Sequence, residues 1–225
     1  QELATRREES MRVFVTGGTG YIGSRLIPAL IGRGHRVAAL ARRESAQRLA
    51  SGCRVVIGDA LDGSSYAPAI DGADVLVHLV GVAHPGPAKA AAFRSVDLAS
   101  ARAALAAALD AGVPHLIYLS VAQPAPVMRA YVAARAEAEA LIRGSGIPST
   151  FLRPWYVLGP GHRWPMALLP VYYLFERLPQ TRAAAARFGL VGAEQMVNAI
   201  VRAVEDPPSG VRIVEVPEIR RSARP

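Results

Sequence analysis

Cysteine is almost absent from this chain, which has only Cys53 among its 225 residues. A single thiol excludes a disulfide framework and a zinc site built from cysteines. The composition therefore fits a reducing compartment, and we expect a cytoplasmic protein. It also leaves no grounds to expect a metal site.

Long apolar runs are also lacking. The most apolar stretch, residues 164–179, is interrupted by Pro165 and Pro170 and ends in Glu176 and Arg177. A membrane helix needs roughly 20 apolar residues, so we expect a lid or core helix here and no membrane contact. Residues 1–10 are polar and charged, which predicts a flexible extension and not a signal peptide.

Lysine is nearly missing, since Lys89 is the only one, yet the formal net charge is +8. A basic balance of this size can indicate a nucleic-acid partner. The arginines are scattered, however, with no run interleaved with exposed aromatic residues. Nucleic-acid binding is therefore only the third and weakest of three interpretations.

Apolar runs and helix-period segments alternate six times along the chain. The apolar runs lack polar alternation, which is typical of parallel strands covered on both faces by helices. The pattern predicts a doubly wound α/β fold in one domain spanning 11–217, with a small C-terminal lid at about 155–190 and a flexible tail at 218–225. The expected strands are 11–17, 35–42, 53–59, 73–81, 113–120 and 148–154, and a last one is expected at 211–216.

Four glycines, Gly17, Gly18, Gly20 and Gly23, form a G-G-x-G-x-x-G turn after the first strand. Glycine permits positive φ and close approach of a ligand to the backbone. The helix that follows presents free N–H groups and the positive end of its dipole, which suits a pyrophosphate. The position between a strand and a helix is the context that supports a dinucleotide site. The alternative is a tight turn without a ligand.

The second strand ends in "LARRES", where Arg42 and Arg43 stand before any acid. An acidic residue at this point would bind the 2′-hydroxyl of NAD, whereas arginine suits a 2′-phosphate. The sequence therefore favours NADP over NAD. The alternative is a pair of solvated surface arginines.

Together these motifs resemble the short-chain dehydrogenase/reductase superfamily, in its atypical or extended branch of NmrA-like and NAD-dependent epimerase/dehydratase-like proteins. The resemblance covers Met11 to about Gly161 and implies a Rossmann fold that binds NAD(P). It places Asp59 of "GDALD" at the adenine, "HLVG" against the cofactor and the backbone of "LRPWYVLGPG" beside the nicotinamide. The cofactor-binding residues that it implies are Gly17, Gly18, Thr19, Gly20, Tyr21, Ile22, Gly23, Arg42, Arg43, Asp59, Ala60, Leu79, Val80, Gly81, Pro154 and Val157.

The family's catalytic pattern is a Ser or Thr after the fifth strand, followed by Tyr-x-x-x-Lys on the next helix. Ser120 and Tyr131 occupy the first two places, but the lysine position holds Arg135. A spacing of four puts Tyr131 and Arg135 on one helix face. By the resemblance, Ser120 positions the substrate oxygen, Tyr131 exchanges a proton with it, and Arg135 supports the tyrosine and bonds the ribose. Arginine cannot readily release a proton as lysine can. The alternative for Tyr131 is packing without proton transfer.

Two hypotheses for function follow. The first is an NADP(H)-dependent oxidoreductase acting on a small carbonyl or quinone-like substrate, as a monomer or homodimer. The second is a non-catalytic NADP(H)-binding redox sensor or assembly partner. His78 is expected to be a packed structural residue and not an acid or base. Six aromatic or histidine residues are candidates for an apolar pocket, with a core or interface role as the alternative: Trp155, Tyr156, His162, Trp164, Tyr172 and Tyr173.

Overall fold

A seven-stranded parallel sheet organises the protein. A computed structural model describes residues 10–83, 85–125, 127–158 and 187–222. The sheet strands are β1 Arg12–Thr16, β2 Arg36–Ala41, β3 Arg54–Ile57, β4 Val75–His78, β5 Leu116–Leu119, β6 Ser149–Arg153 and β9 Val211–Glu215. Across the sheet they lie in the order β3-β2-β1-β4-β5-β6-β9. Every strand expected from the sequence is present, and the doubly wound fold is confirmed.

Helices cover both faces of this sheet. They are α1 Gly23–Gly32, α2 Ala67–Ile70, α3 Ala90–Ala92, α4 Ala99–Asp110, α5 Arg129–Gly144, α6 Ala193–Glu205 and α7 Val216–Arg221. Three 3₁₀ segments, Arg43–Arg48, Gly63–Ser65 and Pro87–Lys89, complete the connections. A π-helical segment, Phe93–Leu98, lies between α3 and α4.

Alternation along the strands divides the core into two layers. Val13 and Val15 of β1 pack with Leu26 of α1 and Ile200 of α6 on one face. Phe14, between those valines, packs in a separate cluster on the other face. Successive side chains of a strand point to opposite faces, so a strand buried on both sides must be apolar at every position. This is why β1 shows no polar alternation.

The chain builds the sheet outward from β1, first to one side with β2 and β3 and then to the other side with β4. β2 pairs with one edge of β1, and β4 pairs with the other in a register that sets Thr16 opposite His78. In a doubly wound sheet the ligand crevice lies beyond the carboxyl ends of the strands at this switch point. The fold therefore directs attention to the turns that follow β1, β4 and β5.

Two features differ from the expectation. Residues 218–225 were expected to be a tail, but the chain continues as α7, in which Ile219 is fully buried in the core beneath α6. A second sheet of two parallel strands, β7 Tyr156–Leu158 and β8 Leu190–Gly192, was not expected. Most of the expected lid, 159–186, lies outside the described residues, as do His162, Trp164, Tyr172 and Tyr173.

No helix among the described residues is long and apolar enough to cross a membrane. Within the same residues, no group of three His, Cys, Asp or Glu side chains is arranged to hold a metal ion.

Candidate functional site

The glycine turn is a compact structure that packs on the end of β4. Gly17 has a φ of +77°, and its carbonyl accepts a hydrogen bond from the Gly20 amide at 3.0 Å. A Cβ on Gly17 would lie 2.9 Å from the Leu79 carbonyl carbon, and a Cβ on Gly23 would lie 2.4 Å from the Gly17 oxygen. At these two positions any larger residue would clash with backbone atoms of the protein itself, so glycine is required even without a ligand.

The N-terminus of α1 follows directly on this turn, where the Ser24 and Arg25 amides donate to the Gly20 and Ile22 carbonyls at 2.9 and 3.0 Å. Its N-cap residue, Ile22, makes no side-chain cap, and the first turn of this described helix holds no acidic residue. Uncapped N–H groups at a helix N-terminus, together with the helix dipole, form an anion site. At Gly20 a Cβ would meet only the Gly17 oxygen, at 3.1 Å. The turn therefore fits a pyrophosphate by its shape and by its charge.

Arginines gather beside this turn at the end of β2. Arg42 and Arg43 are exposed, and the Arg42 side chain is 3.4 Å from Glu44 in a solvent-exposed pair. Arg48, which the sequence analysis missed, donates to the Thr19 carbonyl at 3.1 Å. The 3₁₀ segment Arg43–Arg48 thus places a third cation against the glycine turn, and no sequence pattern marks where that long side chain points.

The segment after β3 is held by short-range contacts. Asp59 is exposed, and its carboxylate accepts a hydrogen bond from the Leu61 amide at 3.0 Å, while Ala60 lies half-buried between them. The Ser65 hydroxyl accepts from the Asp59 amide at 2.9 Å. These bonds fix the loop at the same edge of the sheet as the glycine turn.

Side-chain hydrogen bonds of the buried His78 hold the end of β4 in place. Its Nδ1 lies 2.8 Å from the Thr16 hydroxyl and its Nε2 3.3 Å from the Ser100 hydroxyl. Burial, and then the charge of Arg135, lower the pKa of His78 to about 3. His78 is therefore a neutral, packed side chain, and it holds Leu79, Val80 and Gly81 at the edge of the crevice.

Ser120 follows β5 and has an unusual environment. The residue is 3% exposed, and its hydroxyl has no hydrogen-bond partner among the described residues. Its backbone amide donates to Leu152 at 2.8 Å. Nearby, the Pro154 carbonyl accepts from the Ala122 amide at 2.9 Å, and Val157 lies half-buried in β7. A buried hydroxyl without a partner is costly in a finished fold, so this one is suited to a ligand oxygen.

Tyr131 lies in the first turn of α5, half-buried. Its ring packs on Phe93 at a centroid distance of 5.0 Å, and the Arg135 guanidinium carbon is 5.3 Å from the ring centroid. The residue before α5, Met128, has a φ of 55°. Positive φ is uncommon for a residue other than glycine and clusters at functional sites.

Arg135, which was expected to bond a ribose, is held by groups of the protein itself. Its guanidinium is turned inward, with 5% of the side chain exposed, and pairs with the fully buried Asp97 at 2.6 Å. Burial alone would lower the pKa of Arg135, but Tyr131, Tyr118 and Asp97 keep it raised. Arg135 is therefore a permanent buried cation that contacts protein groups where a ribose contact was expected.

Asp97 itself was missed by the sequence analysis, although a signal was present. It is four residues after the buried Phe93 and four before the buried Ala101, on the apolar stripe of its helix. An acid on such a stripe needs a buried partner.

One turn beyond Arg135, the buried Glu139 joins three elements. It accepts hydrogen bonds from Arg153 at the end of β6 and from the Gln123 side chain at 2.8 Å. Glu139 thus fixes the loop between Ser120 and Tyr131 to the end of β6.

The sequence matches the family described as NAD(P)H-binding over residues 17–163. It is 33% identical to the "3-diazoavenalumate denitrifying reductase" of a Streptomyces species, over 89% of this chain and 74% of that protein. It is 31% identical to the "4-hydroxy-2-methyl-3-oxo-4-farnesyl-3,4-dihydroquinoline-1-oxide ketoreductase" of Stigmatella aurantiaca, over 66% of this chain and 51% of that protein. Similarity to the "Ceramide reductase" of Caulobacter vibrioides is 27% identity over 93% of this chain and 65% of that protein. The chain thus spans about half to two thirds of the length of the latter two relatives.

Among solved structures, the fold is similar to that of the Bordetella bronchiseptica enzyme WbmH in complex with NAD⁺. The TM-score is 0.69 at 21% identity, over 92% of this chain and 76% of that one. A UDP-galactose 4-epimerase gives a TM-score of 0.68 at 21% identity, over 91% of this chain and 76% of that one. At these identities the likeness concerns the fold.

Proposed function

The chain belongs to the NAD(P)H-binding family within the short-chain dehydrogenase/reductase superfamily, and from that premise we propose an NADP(H)-dependent oxidoreductase acting on a small carbonyl or quinone-like substrate. One observation carries the proposal. The buried Ser120 hydroxyl, which has no partner among the described residues, lies at the carboxyl edge of the same sheet as the N-terminus of α1, which has no side-chain cap.

Binding of the dinucleotide is assigned to the carboxyl edge of the sheet. The glycine turn and the first N–H groups of α1 would hold the pyrophosphate. Arg42 and Arg43, after β2, would hold a 2′-phosphate, which favours NADP over NAD because a phosphate pairs with guanidinium groups bidentately. Leu79, Val80 and Gly81 would line the other half of the crevice. When bound, the nicotinamide supplies or accepts the hydride.

Proton transfer in the proposed reaction belongs to Tyr131. In the direction of reduction, its hydroxyl donates a proton to the substrate oxygen and takes one back from solvent after product leaves. The Ser120 hydroxyl donates a hydrogen bond to the same oxygen and so orients it. Arg135 contributes a fixed positive charge beneath the Tyr131 ring. The relative named as a ketoreductase supports a carbonyl as the reacting group.

The second candidate is a non-catalytic NADP(H)-binding sensor or assembly partner. The inward position of Arg135 favours it, because a guanidinium held by protein acceptors is not presented to a ribose. Binding of the dinucleotide is common to both candidates, so turnover must separate them.

The first test is a fluorescence titration with NADPH and with NADH. We expect tighter binding of NADPH, and a loss of roughly 10-fold in NADPH affinity for Arg43→Gln, since a charge-assisted hydrogen bond contributes about 1.5–3 kcal/mol. Arg36→Gln, at the opposite end of β2, is the matched control and should bind like the parent. Preference for NADH would refute the NADP assignment.

The second test is NADPH oxidation across a panel of ketones, aldehydes and quinones. Tyr131→Phe should lower kcat by roughly 100-fold or more, as loss of general acid catalysis does, and leave NADPH binding intact. Tyr66→Phe removes another tyrosine hydroxyl, one that is buried without a partner among the described residues, and should leave kcat unchanged. An active Tyr131→Phe variant would refute the tyrosine mechanism, and no turnover by the parent on any substrate would favour the sensor.

A further inference from the structure

Asp97 is fully buried and uses both carboxylate oxygens. Oδ1 accepts from Arg135 Nη2 at 2.6 Å, and Oδ2 accepts from the Val82 backbone amide at 2.9 Å. Removing a charged group from water costs several kcal/mol and is tolerated only with close, well-formed partners. Asp97 has two such partners, one from α5 and one from the loop after β4.

Arg135 extends this contact to a third element. Its Nη1 donates to the Leu119 carbonyl at 2.6 Å, at the end of β5, and lies 3.4 Å from the Tyr118 hydroxyl. Its Nη2 also lies 3.4 Å from the Val80 carbonyl. The ion pair therefore ties the ends of β4 and β5 to each other and to α5.

Gly81 shows how closely the pair supports the β4 loop. A Cβ on Gly81 would lie 2.1 Å from Arg135 Nη2 and 3.1 Å from Asp97 Oδ1. The loop backbone thus rests directly on the ion pair, and the loop cannot shift without breaking hydrogen bonds to Val80 or Val82.

The element that carries Asp97 is itself irregular. Asp97 lies in the π-helical segment Phe93–Leu98, between α3 and α4. Such segments are rare and occur frequently at functional sites. The carboxylate therefore projects from an irregular segment into the ends of two strands at the crevice.

The ends of β4 and β5, which the Asp97–Arg135 pair holds together, lie on one side of the crevice only. The arginines after β2 place the adenosine on the β2 side of β1, and a dinucleotide crosses the switch point to the other side. The ends of β4 and β5 therefore face the nicotinamide half. This step rests on the proposed function.

We propose that Asp97 is a positioning residue that acts through Arg135 and the Val82 amide to hold the ends of β4 and β5 as the support for the nicotinamide half of the cofactor. Asp97 has no contact with the adenosine half. Its removal therefore weakens ligands that occupy the nicotinamide side and spares ligands that do not.

The test compares NADPH with 2′,5′-ADP, which carries the phosphorylated adenosine and lacks the nicotinamide half. For Asp97→Asn we expect the Kd for NADPH to rise roughly 10-fold or more, since a buried charged hydrogen bond is lost. The Kd for 2′,5′-ADP should stay within about 2-fold of the parent, since no contact on the adenosine side is changed. Asp110→Asn, an exposed acid at the end of α4, is the matched control and should change neither affinity.

The double variant Asp97→Asn/Arg135→Gln tests whether Asp97 acts through Arg135. Asp97→Asn alone leaves a buried cation without its counter-charge, whereas the double variant holds two neutral amides in its place. We expect the double variant to recover part of the thermal stability that Asp97→Asn loses, and to recover NADPH affinity with it, as coupled residues do.

Four outcomes decide between the explanations. Equal weakening of NADPH and 2′,5′-ADP would show a general structural role and overturn the inference, as would unchanged binding of both. Additive losses in the double variant would overturn the action through Arg135. A parent protein that binds neither ligand would overturn the proposed function itself.

Discussion

Replacing Gly23 with alanine tests whether the glycine turn is shaped by the protein's own backbone. The new Cβ would lie 2.4 Å from the Gly17 oxygen and 2.6 Å from the Gly18 Cα, against 3.4–4 Å for ordinary contact. The obstructing atoms are backbone, so the side chain cannot relieve the contact by rotating. The N-terminus of α1 must move away from the turn by about 1 Å.

Two terms set the size of the effect. Overpacking of this kind costs about 1–3 kcal/mol, and the backbone obstruction places Gly23→Ala in the upper part of that range. The preference of helices for alanine over glycine offsets about 0.5–1 kcal/mol. The net loss is roughly 1–2 kcal/mol, which for a chain of this length lowers Tm by roughly 2–8 °C.

Gly32→Ala is the matched control, because Gly32 ends the same helix and a Cβ there would meet nothing within 4 Å. Its Tm should stay level or rise slightly. The assay is thermal unfolding followed by circular dichroism, paired with NADPH titration. Gly23→Ala should also bind NADPH roughly 10-fold more weakly, since small misplacements of binding groups are costly. Equal Tm and equal NADPH affinity in the two variants would refute the close-contact reasoning.

Three further predictions concern the fold around the site. Because burial depresses the pKa of His78 from 6.5 to about 3, its neutral form stabilises the fold above pH 6.5, and that stability is lost as pH falls toward 3. His78→Gln should therefore remove about 2 kcal/mol from the parent's stability difference between pH 7 and pH 5, measured by urea unfolding; an unchanged difference contradicts the burial argument. Glu139→Gln removes the closer carboxylate beside Arg153, which also has Glu215 at 3.9 Å, and should cost about 1–3 kcal/mol in the same assay; a neutral result would show that the Glu139–Arg153 pair contributes nothing. Ile219→Ala should lower the free energy of unfolding by about 2–5 kcal/mol, while Glu218→Ala, at an exposed position, should change it by no more than about 0.5 kcal/mol. Equal effects would show that α7 does not pack stably on the core.

The sheet could be predicted because its signals are local. Each strand from β1 to β5 contains a short apolar run ended by turn residues, and the first turn carries its own glycine pattern. Parallel strands place their carboxyl ends at one edge. The positions of Gly17, Arg42 and Ser120 at that edge therefore follow from strand order alone.

The inner contacts could not be predicted, because they depend on where long side chains point. The spacing from Tyr131 to Arg135 fixes a helix face, but it does not show whether the guanidinium faces a ligand or the protein interior. That outcome depends on Asp97, thirty-eight residues earlier. Likewise, Arg48 is one of many arginines until its contact with Thr19 is seen.

Short segments with weak patterns could not be predicted from the sequence either. Residues 218–225 were expected to be a tail, and the helix observed at Val216–Arg221 has a proline and two arginines among its six residues, which is a weak helical pattern. Packing of Val216 and Ile219 in the core, and the hydrogen bond from Arg220 to the Leu190 carbonyl, hold this helix in the fold. The strands β7 and β8 are three residues each and far apart in the chain, so no local signal pairs them.

Because Gly81 lies so close to Arg135, the substitutions tolerated at these two positions depend on each other. A methyl group at 81 is blocked by the tip of a side chain 54 residues later, so tolerance at one site depends on the residue at the other. In a library randomised at both positions, side chains larger than hydrogen at 81 should be enriched in clones with a shorter residue at 135. The effect of a substitution at 81 therefore depends on the residue that stands at 135.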